Sequence, residues 1–417
     1  MTNRRDFLKQ TPALIGFLMS VSSKISANIG VKKVILLRSS WQTINIGDIG
    51  HTPGVLRLIE KYLPEIEVRL WARDIRDGVE EMLRQRFPKL TIIKSVDSEL
   101  LQRAFKECDF LLHGSGPFLV ASDDLVKWQK ETGKPYGVYG ITLNEDRVNP
   151  TVIEVLNNAQ FVYFRDSFSL EYCQKIGVKS PIMEFGPDGA FGVDVRNDKA
   201  SIEFMKKNGL KKGQFLCVIP KYRRTPNWKI PSKNAAFDEK INAQNEAMKE
   251  HDHKLFREAI IKVVRETPMK ILICPEDVTQ VALGKEILYD PLPEDVKKKV
   301  VWRSTFWLTD EALSTYVRSA GLFGNEMHSP IMCVGNGIPA IVCRYAEQTS
   351  KGIMWRDIGL GDWLFDLDNE KEIEGIVPAV FNMAKYPKLA KEKALKAKKI
   401  VEKRQLETMM VLKDKLL

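Results

Sequence analysis

The 417-residue chain has no Cys-x-x-Cys pair and no His/Cys cluster at zinc-ligand spacing. Its six cysteines, at positions 108, 173, 217, 274, 333 and 343, are scattered, and five of them sit in or beside apolar runs such as FLCVIP and ILICPE. Thiols in such runs are expected to be buried, so neither a metal nor a cofactor is expected. Beyond a modest apolar run at 11–21, no stretch approaches the ~20 residues needed to cross a bilayer, which excludes an integral membrane protein. A nucleic-acid footprint is missing as well. The net charge is +10, but residues 385–417 carry 11 Lys/Arg against 4 acids, and residues 1–27 carry Arg4, Arg5, Lys9 and Lys24 against Asp6. The body, 28–384, is therefore balanced, and the lysine-rich tail reads as a solvated helix face.

What is present begins with MTNRRDFLKQ. The order Arg4-Arg5-Asp6-Phe7-Leu8-Lys9, then the apolar run and the small pair Ser26-Ala27, resembles a bacterial twin-arginine export signal. Residues 1–27 are set aside from the fold on that reading, and the mature protein is expected in the periplasm or cell envelope.

From residue 31 short apolar runs alternate with longer amphipathic ones, the pattern of a parallel sheet flanked by helices. Strands are expected at 32–38, 67–72, 90–95, 109–114, 136–141 and 161–165. A helix is expected at 54–63, where Val55, Leu58, Ile59 and Tyr62 share a face. A second series follows the charged segment 195–213, with strands at 214–220, 270–275, 300–302, 321–325 and 339–344 and helices near 251–265, 309–319 and 329–336. The fold class is α/β, with two Rossmann-like domains (31–195 and 196–370) facing across a cleft, and a C-terminal helical segment (371–417) whose tip frays from about 404. The loop from 221 to about 250 is expected to be irregular, and the pair His251 and His253 to open a solvated helix. In open sheets of this type ligands bind beyond the carboxyl ends of the strands, so the strand-exit loops and the cleft are where chemistry is expected.

Those exits carry the candidates. The first leads into Asn45, Gly47 and Asp48 ahead of a helix whose early turn holds Pro53; the fourth into Gly114, Ser115 and Gly116, which let backbone approach a ligand closely. Arg165 ends the sixth, followed by Asp166 as an N-cap, and Asp188 lies at the domain junction. In the second half Lys221, Arg223 and Arg224 leave the first strand, a triplet suited to an anion as well as to a solvated loop. Finally GLFGNEMHSPIMCVGNG places Glu326 and a lone histidine, His328, at the mouth of a helix.

In this order, the N-x-G-D turn, the glycine-rich exit, the stretch 165–178 with its downstream DGAF, and the block from 321 to 360 resemble the polysaccharide pyruvyl transferase family. The resemblance spans roughly 31–370. It implies a GT-B-like fold that moves a pyruvyl group from phosphoenolpyruvate onto two hydroxyls of a glycan as a ketal. Carried over, His328 becomes the acid/base and Lys351, Arg223, Arg224 and Arg344 the donor-binding cations; strict spacing from Tyr345 puts Gln348 where Lys351 is counted back from Leu360. Asp48 is the candidate partner of the sugar hydroxyls, with Asn45, Gly47, Gly114, Ser115, Gly116, Arg165 and Asp188 on the acceptor side. Where the family has an arginine this chain has Glu326, which is expected either to turn away, to pair with an arginine, to mark a donor other than the family's, or to pair with His328 and raise its basicity. Two other readings stay open: an exported glycan-binding protein on the same scaffold, and a glycosyltransferase using a nucleotide sugar.

Overall fold

A computed structural model describes residues 32–416; the segment read as an export signal lies outside them. From Val34 onward the chain forms one compact unit holding two wholly parallel sheets. The first has the order β3-β2-β1-β4-β5-β6-β7, with β1 Val34–Ser39, β2 Glu67–Ala72, β3 Thr91–Lys94, β4 Phe110–His113, β5 Tyr136–Ile141, β6 Val162–Phe164 and β7 Met183–Phe185. The second has the order β10-β9-β8-β11-β12-β13, with β8 Phe215–Ile219, β9 Lys270–Ile273, β10 Val300–Trp302, β11 Gly321–Gly324, β12 Ala340–Arg344 and β13 Leu364–Asp366. Each expected strand is present within two residues of its predicted ends. The edge strands β7 and β13 escape a sequence reading because each is three residues long and holds an acid, MEF and LFD, so neither forms an apolar run.

Alternation along β1 shows how the sheet is held. Ile35 and Leu37 point into a core continuous with the second lobe, while Val34 and Leu36 point into a separate cluster on the far face. Each such aliphatic side chain, fully buried, stabilises by about 1.5–3 kcal/mol. In both sheets the chain turns from one flank to the other beside the first strand, between β1 and β4 and between β8 and β11. At such a switch point neighbouring loops leave in opposite directions and open a crevice, so the exits of these four strands build the site.

Helix α1 (Ile46–Tyr62) begins earlier than its apolar period suggests, because the Asn45 side chain caps it, accepting from the backbone N–H of Gly47 and Asp48. Pro53 therefore lies inside the helix rather than in its first turn. The α1 N-terminus docks on the second lobe: the Ile46 N–H donates to the Glu276 carbonyl (2.9 Å), and the Thr309 hydroxyl donates to the Ile46 carbonyl (2.8 Å). Helix α2 (Ser167–Lys175) follows β6 and is capped by Asp166. Helix α3 (Glu239–Glu266) occupies half of the expected irregular loop. Asp238 caps it at the Ile241 N–H, but its polar first turns, EKINAQNEAMKE, carry no apolar stripe by which to see it. His253, expected in solvent, is buried inside α3.

Helix α4 (Thr309–Tyr316) precedes β11, and α5 (His328–Gly335) follows it. Helices α6 (Ile376–Lys385) and α7 (Pro387–Leu416) carry the chain back to the first lobe. The tip of α7 is a docking element rather than a frayed end: Arg404 Nε donates to the Phe185 carbonyl (2.6 Å), and Met409 and Leu412 are fully buried. All six cysteines are free and buried, and no described helix is long and apolar enough to cross a membrane.

Two glycines permit the close approach of the lobes: Gly335, where a Cβ would stand 2.1 Å from the Phe191 carbonyl oxygen, and Gly47. A Cβ on Gly47 would stand 2.1 Å from the His328 Cβ, whereas one on Gly50 would meet only the end of the Met332 side chain at 3.3 Å. Overpacking of this kind costs about 1–3 kcal/mol or more. Gly47→Ala is accordingly expected to lower the urea midpoint by an amount corresponding to at least about 2 kcal/mol, and Gly50→Ala by less than half of that. Equal shifts in the two variants would show that the close approach is not what constrains position 47.

Candidate functional site

The floor of the crevice comes from both lobes. Asp48 and His51 lie one turn apart on α1 and so share a face, with 3.7 Å between His51 Nε2 and Asp48 Oδ1. His328, the first residue of α5, meets His51 edge-on, the ring centres 5.0 Å apart. The structure thus brings together Asn45, Gly47, Asp48 and His328 from the sequence-derived set and adds His51, which that reading missed. The i, i+3 spacing from Asp48 was the signal.

Behind His51 stands a buried hub. Its Nδ1 lies 2.8 Å from the Ser115 hydroxyl and 3.0 Å from Asp188 Oδ1. Asp188 also accepts from Arg165 Nη1 (2.6 Å) and from the Ala190 N–H (2.8 Å), and Arg165 Nε donates to the Thr142 hydroxyl (2.7 Å). Burial alone would raise the Asp188 carboxyl, but His51 and Arg165 beside it hold it well below the usual carboxylate range. Ser115 and Asp188, expected to face an acceptor, therefore hold His51 in place instead, while Arg165 braces Asp188 and also lines the interlobe cleft. Gly114 and Gly116 are also turned from the role expected of them: both are buried, and the Trp41 indole, donating to the Ser115 carbonyl at 2.7 Å, covers the segment.

His328 is held from the other side by Glu276, and of the readings open for Glu326 the structure shows the one in which it turns away. His328 Nδ1 is 3.3 Å from Glu276 Oε1, and the other oxygen of Glu276 accepts from the Ser329 N–H at 2.6 Å. The N-terminus of α5 is thus occupied by the protein's own carboxylate. Glu326 turns away to pair with the Lys221 ammonium and accepts from Gln280 Nε2 (2.6 Å); Lys221 is raised by that acid although burial opposes it. Far from gaining basicity, His328 is pushed by burial down to about 3. It is a neutral imidazole. Glu276 leaves β9 in the sequence ILICPED, an acid at a strand exit, and that was its only local mark.

Next to this floor a cleft of about 310 Å3 opens between the lobes, walled by Phe118 and Arg147 of the first and by Lys221, Arg224, Gln348 and Lys351 of the second. Its cations differ in availability. Arg223 lines the wall but is committed to Asp252 (2.9 Å), Asp368 (2.7 Å) and Glu347 (3.4 Å). Arg344 lies outside the cleft, bound to Asp366 and to the Thr349 carbonyl. The Gln348 amide donates to the Asn325 carbonyl. Among the described residues, the Arg224 guanidinium and the Lys351 ammonium have no hydrogen-bond or ion-pair partner; burial and then Lys221 lower Lys351. Buried His253 keeps this wall in register, its Nε2 accepting from the Lys221 N–H at 3.2 Å. A larger pocket of about 620 Å3 opens on the first lobe beside Trp41, Gln42, Arg73, Asp74 and Arg76, and Gln42 bridges it to the floor by donating to Asp48.

A family model described as polysaccharide pyruvyl transferase matches residues 45–347. None of the curated proteins matches the sequence. Among solved structures, the chain is similar to the UDP-GlcNAc 2-epimerase of Neisseria meningitidis bound to UDP-GlcNAc, with TM-score 0.56 and 10% identity over 91% of this chain and 100% of that one. It is similar also to HepE of Anabaena in complex with UDP-glucose, with TM-score 0.55 and 11% identity over 91% and 98%. A putative UDP-N-acetylglucosamine 2-epimerase of Listeria monocytogenes gives TM-score 0.54 at 12% identity over 87% and 91%. At such identities these likenesses show the GT-B-like fold.

Proposed function

The chain belongs to the polysaccharide pyruvyl transferase family, and from that premise we propose that it transfers a pyruvyl group from phosphoenolpyruvate, or a closely related anionic donor, to two hydroxyls of a glycan. One observation carries the proposal: Arg224 and Lys351, cations without partners among the described residues, share the interlobe cleft beside the His328 floor. A donor charge about 4 Å from one such cation gains roughly 4 kcal/mol at an effective dielectric near 20. The acids of the cleft do not cancel this, because Glu347 already accepts from Arg223 and from Gln244 (2.5 Å) and Asp146 pairs with Arg147 (3.7 Å).

In the reaction two hydroxyl oxygens bond to the central carbon of the donor, its methylene becomes a methyl, and phosphate leaves. Of the two hydroxyl protons, one goes to the methylene and the other leaves with phosphate. His328 is a neutral imidazole whose Nε2 has no hydrogen-bond partner among the described residues, so the work of the floor is on the hydroxyl side: to orient and acidify the nucleophile. The acceptor glycan lies in the polar pocket beside Trp41 and Gln42, which reaches the floor through Asp48. Export by the twin-arginine route would make that acceptor a cell-surface or extracellular glycan, and places the donor supply outside the cytoplasm as well.

The test is phosphate release from phosphoenolpyruvate in the presence of envelope glycans. Lys351→Ala and Arg224→Ala are each expected to raise KM for the donor by one to two orders of magnitude, with the fold intact. Glycan binding without phosphate release would make the protein a binding module, and stabilisation by a nucleotide sugar but not by phosphoenolpyruvate would make it a glycosyltransferase.

A further inference from the structure

The two floor histidines share an unusual property: each is buried, and each has an Nε2 with no hydrogen-bond partner among the described residues. A buried polar atom left unsatisfied costs about 1–3 kcal/mol. Here two such atoms sit beside a carboxylate, and one ligand-capable atom from each of Asp48, His51 and His328 lies within 4.8 Å of the others. We propose that Asp48, through Oδ1, and His51 and His328, through Nε2, bind a single divalent first-row transition-metal ion between the lobes.

The atoms behind the cluster favour the same assignment. A metal-binding imidazole must be neutral, with its lone pair on the coordinating nitrogen, and that tautomer is set by what the other ring nitrogen donates to. In both histidines a carboxylate faces Nδ1. His51 Nδ1 faces Asp188 at 3.0 Å and His328 Nδ1 faces Glu276 at 3.3 Å. With the proton on Nδ1 in each ring, the two Nε2 lone pairs are left for a ligand. Two carboxylates thus buttress two imidazoles, which present their free nitrogens beside a third carboxylate. Gln42 binds the other oxygen of Asp48 and orients Oδ1 toward the rings.

Donor chemistry narrows the ion. Two imidazole nitrogens and one carboxylate oxygen suit Zn2+, Mn2+, Fe2+, Co2+ or Ni2+, whereas Mg2+ and Ca2+ take oxygen ligands. Bonds of about 2.0–2.1 Å bring tetrahedral ligand atoms to roughly 3.3 Å apart, so binding draws the three side chains together and with them the two lobes. Three protein ligands leave a position open, where a glycan hydroxyl is coordinated and acidified. The absence of zinc-like spacing in the sequence does not bear on such a site, since its ligands come from two lobes and only the fold assembles them.

This inference does not rest on the identity of the donor, and its test reads metal, not turnover. Untagged full-length protein, stripped with a chelator, is titrated with Zn2+, Mn2+ and Mg2+ by calorimetry, with bound metal counted by elemental analysis. Expected are one equivalent of Zn2+ or Mn2+ at micromolar affinity or tighter, no saturable Mg2+ binding, and a higher melting temperature with the ion. Affinity is expected to fall at least a hundredfold in His51→Gln and His328→Gln and ten- to a hundredfold in Glu276→Gln. Asp48→Asn, nearly isosteric, covers the case in which a histidine variant fails to fold, and His251→Gln should leave binding unchanged. Less than a tenth of an equivalent bound by the wild type, or an affinity unmoved in the folded floor variants, overturns the proposal. Metal binding without pyruvyl transfer would leave the site standing and remove the donor assignment instead.

Discussion

Lowering the pH from 6.5 to 5 is expected to cost this protein about 3 kcal/mol of folding stability through two histidines outside the candidate site. Burial pushes His113 down to about 3, with Arg38 adding to the effect, and pushes His253 down to about 4 against the pull of the Lys249 carbonyl. Both are neutral in the fold, and the unfolded chain takes up their protons near pH 6.5. The unfolded state therefore binds more protons at every pH between that value and the folded ones, so stability rises with pH across the interval and falls on acidification. Each group contributes about half of 1.36 kcal/mol per pH unit near pH 6.5 and approaches that full value toward pH 5. Their surroundings explain why protonation is resisted. The His113 ring stacks on Trp41, 4.9 Å between centres, and its Nε2 accepts from the Ala121 N–H at 3.3 Å, a bond that a proton there would abolish. His253 Nε2 accepts from the Lys221 N–H, so its protonation also loosens the cleft wall. Urea titrations at half-unit steps from pH 7.5 to 5 measure the slope. A flat profile, or stability increasing toward acid, would contradict the burial of both rings.

Asp188→Asn is expected to lower stability by about 3–5 kcal/mol, the range found when one partner of a buried ion pair is removed. The asparagine keeps the volume but leaves Arg165, 1% exposed, as an uncompensated charge and offers His51 an acceptor no longer charged. The companion experiment is a cycle with Arg165→Met and the double variant Arg165→Met/Asp188→Asn. Because the pair is fully desolvated, removing both charges is expected to be less destabilising than removing either alone. Chemical denaturation supplies the three differences. Additive single effects would mean that Arg165 and Asp188 are held independently. A loss below 1 kcal/mol in Asp188→Asn would mean that the hub is open to water.

The amphipathic and apolar runs of this chain specify two parallel sheets in tandem, because a strand buried on both faces must be apolar along its length and its connecting helix must be apolar on one side. The places of the strand exits follow from the same pattern. Asp48, His328 and Arg224 were accordingly legible as residues of a crevice, since each lies in the turn or loop that leaves an apolar strand, where an α/β fold puts its ligands, whereas Lys351 came only from the family resemblance. Short edge strands such as β7 and the polar start of α3 left no such pattern, and the structure alone reveals them.

Which charged group meets which was decided only by the tertiary structure. Glu326 stands two residues from His328, yet the acid on that imidazole is Glu276, brought in from another strand exit. Arg223 and Arg224 are neighbours in the chain, but one is spent on three carboxylates and the other faces the cleft. Arg165 and Asp188, read as surface contacts for a sugar, are buried supports for a histidine from a different helix. Sequence pattern reports burial because burial depends on a residue's own side chain and its period along the element. Pairing depends on the direction of two side chains from distant segments, and that is set only when the lobes close.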